Sequence, residues 1–221
     1  MKSLTKMNFI HYNDFNVDRL VVERLRDVRT SNGDIFQKMS VSYKYNNDSI
    51  TEPLYIQGPK VITTKRGLHI TFGTKRSSNV NVEYNLDNEE HVAYIRVLLD
   101  IYYCVMKIFI GCTKGVKNSN RMKYSETSER FRNLFGLKFI TDPDINYQRQ
   151  YQRFKCHTTT SGGREIKTQF YDVNKKLVDW NKLTKKTLKI IPLMRIKEVS
   201  CITENKINIL TRLEKCVIHY I

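Results

Sequence analysis

The longest apolar stretch of the chain runs from Val92 to Ile110, and it restricts the fold more than any other segment. Taken from Asn88, the segment reads as a helix. Asn88 is a capping residue, and Glu89 and Glu90 follow where the helix dipole is positive. Apolar residues run nearly all the way round, so the spacing predicts a helix that is mostly buried. Arg96, Asp100 and Lys107 interrupt the run, which makes it a poor membrane span.

Most other segments read as strands. Leu54 to Gln57 is a short one that runs into Gly58-Pro59. Leu68 to Phe72 alternates and is closed by Gly73. Leu137 to Ile140 is another, and Ser125 to Leu134 suits a short helix that Gly136 ends. The chain closes on two long strands, Thr187 to Thr203 and Lys206 to Tyr220, with Asn205 in the turn between them. Residues 17 to 28 are two-sided. Val17, Leu20, Val21, Leu25 and Val28 have helical spacing, while Leu20 to Val22 and Val41 to Tyr45 suit strands about a turn at Ser31-Asn32-Gly33-Asp34. Four Pro and nine Gly mark no clear linker, so residues 1–221 are expected to form one compact domain.

Lys and Arg outnumber Asp and Glu by 38 to 22, a net charge of +16. Such an excess on a globular chain points to an anionic partner: nucleic acid, an acidic membrane surface or an acidic protein. Solubility alone more often takes a modest or acidic charge. Five scattered cysteines suit free thiols in a reducing compartment better than a disulfide framework. Met1 to Ile10 has no apolar core, so no signal peptide is expected.

The segment from Tyr147 to Cys156 ties charge to aromatic rings. In a strand, Tyr147, Arg149, Tyr151, Arg153 and Lys155 share one face. Two rings set between three cations suit single-stranded nucleic acid, with phosphates on the cations and bases on the rings. Tyr147, Tyr151 and Phe154 also fall at helical spacing, and Thr141-Asp142-Pro143-Asp144 looks like a helix start. Local signals therefore leave strand and helix open. Downstream, Thr158 to Gly163 reads as a turn and Glu165 to Tyr171 alternates, which would make a hairpin with an extended 147–155.

Other cationic clusters fall on or beside predicted strands. Lys60, Lys65, Arg66, His69, Phe72, Lys75 and Arg76 surround one. Arg195 and Lys197 alternate with Met194 and Ile196 on another. Lys114, Lys117, Arg121 and Lys123 lie in a polar loop.

Enzyme and metal signals are thin. Pro143-Asp144 followed by Glu165-Ile166-Lys167 fits the loose Pro-Asp…Glu-x-Lys pattern of Mg²⁺-dependent nucleases, in which two carboxylates hold the ion and the lysine orients water. Glu-x-Lys recurs at Glu204-Asn205-Lys206, so it comes cheaply in so lysine-rich a chain. Cys156-His157 and Cys216-x-x-His219 lack the second spaced pair that zinc wants. There is no Gly-rich phosphate loop or nucleophile elbow. The lone Trp180 suits a core anchor. No cofactor and no metal is expected.

Pro53-Leu54-Tyr55-Ile56-Gln57-Gly58-Pro59-Lys60 resembles the Pro-Leu-x-Ile-Gln-Thr-Pro-Lys segment of the single-stranded-DNA-binding-like proteins of large nucleocytoplasmic DNA viruses. The likeness continues through the helix to Ile110. It returns at Thr168 to Asp172, Asp179-Trp180, Ile190 to Leu193 and the last two strands. Gly58 stands where that family has Thr, and the basic loop after Gly111 also departs from it. The resemblance implies an α+β, β-rich fold: an oligonucleotide/oligosaccharide-binding (OB) β-barrel core with one long buried helix and smaller added helices. It implies strands within 17–29 and at 147–155. It also implies a non-enzymatic protein that binds single-stranded DNA, or RNA, without regard to sequence during viral replication, recombination or repair, in host cytoplasm or nucleus. No membrane partner is expected, and self-association on DNA is. On this reading Arg149, Arg153, Lys155, Lys65, Arg66, Lys75 and Arg76 contact phosphates. Tyr147, Tyr151 and Phe72 stack on bases. Lys60, His69, Arg195 and Lys197 complete the surface.

Overall fold

The computed structural model describes residues 7–29, 33, 35–46, 50–71, 77–113, 138–141, 150–157, 160–161, 165–184, 186–203 and 206–220. Its strands are β1 (Ile10–His11), β2 (Leu20–Val22), β3 (Arg26–Arg29), β4 (Ile35–Tyr43), β5 (Glu52–Gln57), β6 (Val61–Thr71) and β7 (Ser77–Asn85). One long helix, α1 (Glu89–Thr113), follows. Then come β8 (Lys138–Thr141), β9 (Gln150–His157), β10 (Thr160–Ser161), β11 (Glu165–Ile166), β12 (Gln169–Asp172), β13 (Lys189–Thr203) and β14 (Lys206–His219). Single 3₁₀ turns lie at Tyr12–Asp14, Val17–Arg19 and Trp180–Leu183. The fold is α+β and β-rich. The basic loop after Thr113, the helix expected at 125–134, the helix start at 142–144, the Gly162-Gly163 turn and Asn205 lie outside the described residues.

The backbone of α1 begins where its capping chemistry predicts. Asn88 Oδ1 accepts the N–H of His91 at 3.1 Å, and Glu89 and Glu90 occupy the first turn. Tyr94, Ile95, Val97, Leu98, Ile101, Tyr102, Val105 and Phe109 are buried. Arg96, Asp100, Tyr103 and Lys107 are exposed. Those four recur at helical spacing, so the charges that interrupt the apolar run form one solvated stripe. Among the described residues no helix is long and apolar enough to cross a membrane.

β13 organises the sheet. One edge pairs antiparallel with β14 along its length. The other edge takes β6 at Lys189 and Ile190, β5 from Leu193 to Ile196, and β4 from Glu198 to Cys201. From β6 the sheet continues through β7 and β9 to β8. β14 also approaches β9 with Cα atoms within 8 Å. The sheet therefore curls, although no ladder joins those two strands among the described residues.

Leu20–Val22 and Arg26–Arg29 are strands. β2 and β3 pair antiparallel with β4, and the helical spacing read there does not make a helix. The hairpin expected between 147–155 and 165–171 is corrected by the pairing. β9 lies between β7 and β8. β12 instead runs parallel to β14, with Phe170 opposite Cys216. Two contacts draw it there: the Thr168 hydroxyl donates to the Leu213 carbonyl at 2.6 Å, and Phe170 is buried in the common core. Among the described residues, only β10 and β11 pair across the expected turn.

The core is one cluster between α1 and the sheet. Tyr94 meets Tyr12 edge-on at 5.9 Å and Tyr84 at 5.5 Å. Trp180 packs against the cluster from its margin, as an anchor should. His91, 8% exposed, ties two corners together. Its Nδ1 accepts the N–H of Asn85 at 2.9 Å, and its Nε2 lies 3.0 Å from the Lys60 carbonyl. Both bonds form only in a neutral ring with the proton on Nε2.

Gly58 is buried beneath the same junction, and its N–H donates to the Pro192 carbonyl at 2.9 Å. A Cβ at this position would lie 3.2 Å from Pro192 Cγ and 3.3 Å from Tyr94 Cζ. A threonine would bring two further heavy atoms into that space. Gly58→Thr is therefore expected to destabilise the fold by about 1–3 kcal/mol, measured by chemical denaturation. Unchanged stability would mean that Tyr94 and Pro192 can yield.

Candidate nucleic-acid interface

Residues 150–157 form a strand, not a helix. Tyr147 and Arg149 lie outside the described residues. Which way each position of β9 faces follows from its register with β7. Val80, Val82 and Tyr84 are buried. Directly opposed residues share a face of the sheet. Cys156, Phe154 and Gln152 stand opposite those three, which makes them inward positions. Lys155, Arg153 and Tyr151 stand opposite Asn81, Glu83 and Asn85, on the outward face.

The outward face continues across the neighbouring strands. β8 sets Lys138 opposite Arg153 and Ile140 opposite Tyr151. β6 sets Ile62 opposite Glu83 and His69 opposite Asn79. Lys189 of β13 stands opposite Ile62. One row of outward positions thus reads Lys189, Ile62, Glu83, Arg153, Lys138. Ile62 is 45% exposed, so an apolar side chain lies open to water within a polar row.

The other expected residues divide among several places. Lys65 and Arg66 lie on β6 where its register with β7 shifts, between Thr63 and Leu68. Phe72, Lys75 and Arg76 lie outside the described residues. Lys60 is exposed at the corner between β5 and β6. Lys197 is exposed where β13 shifts register between Ile196 and Glu198. Lys60, Lys189 and Lys197 have no ion pair among the described residues.

Arg195 is more constrained. Its guanidinium lies 5.6 Å from the Tyr55 ring centroid, and Nη1 is 3.9 Å from Glu214 Oε1. Lys38 is similarly held, 3.4 Å from Glu198 Oε2. These two cations are partly neutralised within the fold, unlike the three exposed lysines. Tyr55 is itself fixed by Tyr45, whose hydroxyl accepts the Tyr55 N–H at 2.7 Å and donates to the Pro53 carbonyl at 2.9 Å.

The nuclease set is not assembled among the described residues. Asp144 lies outside them, Glu165 opens β11, and Lys167 is exposed. No group of three or more His, Cys, Asp or Glu there could hold a metal ion. Cys104 and Cys216 are free thiols. Burial pushes the Cys104 thiol up, with Lys107 opposing it.

Sequence reasoning missed Glu83, Lys189, Lys138 and Tyr55 as members of this surface. Each is an ordinary strand residue, and only the cross-strand register brings it to the face. No protein-family model, curated protein or solved structure matches this chain.

Burial pushes the Tyr45 phenol up from its ordinary 10 to about 12, against the lowering effect of the Tyr55 N–H. The folded state holds this proton more tightly than the unfolded chain does. Its contribution is therefore complete below pH 10 and lost as pH rises towards 12. Tyr45→Phe leaves the Tyr55 N–H without its acceptor and is expected to cost about 1 kcal/mol at neutral pH. In denaturation series the gap between wild type and variant should narrow across that alkaline window. A constant gap would contradict the assignment.

Proposed function

We propose that this chain is a non-enzymatic single-stranded-nucleic-acid-binding protein, with an OB-like core, akin to the viral family it resembles. Single-stranded DNA is the preferred ligand. The observation that carries the reading is the register of β9, with Tyr151, Arg153 and Lys155 at outward positions beside Lys138 and Lys189. Phosphates meet the cations, and bases stack on Tyr151. The curl that brings β14 near β9 supports the barrel. The net charge of +16 supplies long-range attraction for a polyanion. Free thiols at Cys104 and Cys216 fit a reducing compartment.

Binding of a fluorescent single-stranded oligonucleotide across a salt series tests this. For single strands log K falls with log salt at a slope of about −0.7 per phosphate contacted. Arg153→Ala and Lys155→Ala should each weaken binding and flatten that slope by about 0.7. Tyr151→Ala should weaken binding by about 1–3 kcal/mol with the slope unchanged. Affinity that barely responds to salt, or tighter binding of duplex, would overturn the proposal. So would Mg²⁺-dependent cleavage that Asp144→Ala abolishes, which belongs to a nuclease. Failure to bind any oligonucleotide at physiological salt would point to an acidic protein partner.

A further inference from the structure

A second part of the outward face is apolar, and it lies where β12, β14 and β13 run side by side. Phe170, Cys216 and Ile190 are buried, so the residues that alternate with them face outward. The ladders set Tyr171 opposite Val217, and Val217 opposite Ile191. Leu177 bridges antiparallel to Tyr171 from the other side. Val178, next in the chain, packs against the core, which turns Leu177 outward. One row of outward positions thus reads Leu177, Tyr171, Val217, Ile191. It crosses three strand spacings, about 14 Å. Leu177 is 69% exposed and the other three are half-buried.

The loop that carries Leu177 is held by its own backbone. Asp172 Oδ1 accepts the N–H groups of Asn174 at 2.9 Å and Lys176 at 2.8 Å. The Val178 N–H donates to the Phe170 carbonyl at 2.8 Å. At the tip Lys175 takes φ 62°, a left-handed backbone that favours Gly or Asn over lysine. Val173, in the same loop, is 57% exposed. The border of the row is cationic. Lys175 and Lys176 are exposed just before Leu177, and Lys215 lies next to Val217 on the outward face of β14. These three lysines have no ion pair among the described residues. Asp172 and Asp179, the two carboxylates between residues 169 and 189, both accept backbone N–H groups of their own turns.

We propose that this row is a docking site for an acidic segment of another protein. Its apolar side chains would cover Leu177, Tyr171, Val217 and Ile191, and its carboxylates would meet Lys175, Lys176 and Lys215. The site shares no residue with the nucleic-acid surface and does not rest on the function proposed above. Charge and shape decide the occupant. A second copy would bring its own lysines against these, on a chain of net charge +16. Single-stranded nucleic acid stacks on flat rings. The row offers three aliphatic side chains and one tyrosine, whose hydroxyl donates to Gln169 Oε1 at 3.0 Å. An anionic bilayer would reach the loop but not Val217 and Ile191, half-buried in the plane of the sheet. An acidic segment with apolar anchors matches both the row and its border.

The test is fluorescence anisotropy at physiological salt with a labelled synthetic peptide that alternates Asp and Glu with Leu and Phe. A peptide of the same charge, with Ser in place of Leu and Phe, is its control. Wild type should bind the first about tenfold or more tightly than the second. Leu177→Ala should weaken the first about tenfold and leave the second unchanged. Lys176→Glu should weaken both. Lys107→Glu makes the same change of net charge on α1 and should leave both close to wild type. Lys175→Gly suits the left-handed backbone, so it should weaken binding without lowering the melting temperature. Equal binding of the two peptides, or equal losses for Lys176→Glu and Lys107→Glu, would show net charge acting alone and overturn the proposal. So would a dimer that Leu177→Ala dissolves in sedimentation, or a loss in that variant of affinity for a single-stranded oligonucleotide or for phosphatidylserine vesicles. Each of these gives the row a different occupant. Melting curves keep folding defects apart, and Lys176→Glu and Lys175→Gly carry the test if Leu177→Ala melts early.

Discussion

Tyr94 meets Tyr12 and Tyr84 and closes the space over Gly58, and this junction decides which face of the sheet is turned to water. It seats α1 against β7, where Val80, Val82 and Tyr84 are buried. His91, one turn earlier on the helix, holds the end of β7 and the corner at Lys60 through its two ring nitrogens. Once β7 is oriented in this way, alternation and register orient β9, β8 and β6 in turn. The orientation of this outward face is thus a consequence of core packing on its reverse side. A weakened junction would disturb an outward face that it never touches.

The electrostatics of the surface depend on which cations the fold leaves unpaired. Glu214 and Tyr55 hold Arg195, and Glu198 holds Lys38. Such partly exposed pairs add little stability, but they lower the charge available to a ligand. Lys60, Lys189 and Lys197 keep theirs in water. Glu83 sits within the cationic row opposite Arg153, so the face is not a uniform positive field.

Much of the architecture was legible in the chain because it is encoded locally. Asn88 with two following glutamates marks the start of α1, and the two long alternating runs at the C-terminus become β13 and β14. Residues 17–28 misled by spacing. β2 and β3 are only three and four residues long, too short for alternation to outweigh a chance helical period. The hairpin expected around Gly162-Gly163 misled for a different reason. Parallel pairing of β12 with β14 depends on Thr168 and Phe170 reaching residues more than forty positions away. The site was half legible. The ring-and-cation alternation at 147–155 is visible in one dimension. The place of Glu83 between Ile62 and Arg153 exists only after three strands have been set in register.

Hydroxyl-radical footprinting of side chains, with and without a single-stranded oligonucleotide, tests most directly whether the outward face of β9 is the interface. Tyr151 and Ile62 should lose reactivity on binding. Tyr103, which is 42% exposed on α1, serves as a reference and should not change. Equal labelling of Tyr151 and Ile62 in the free and bound protein, with protection elsewhere, would contradict the account.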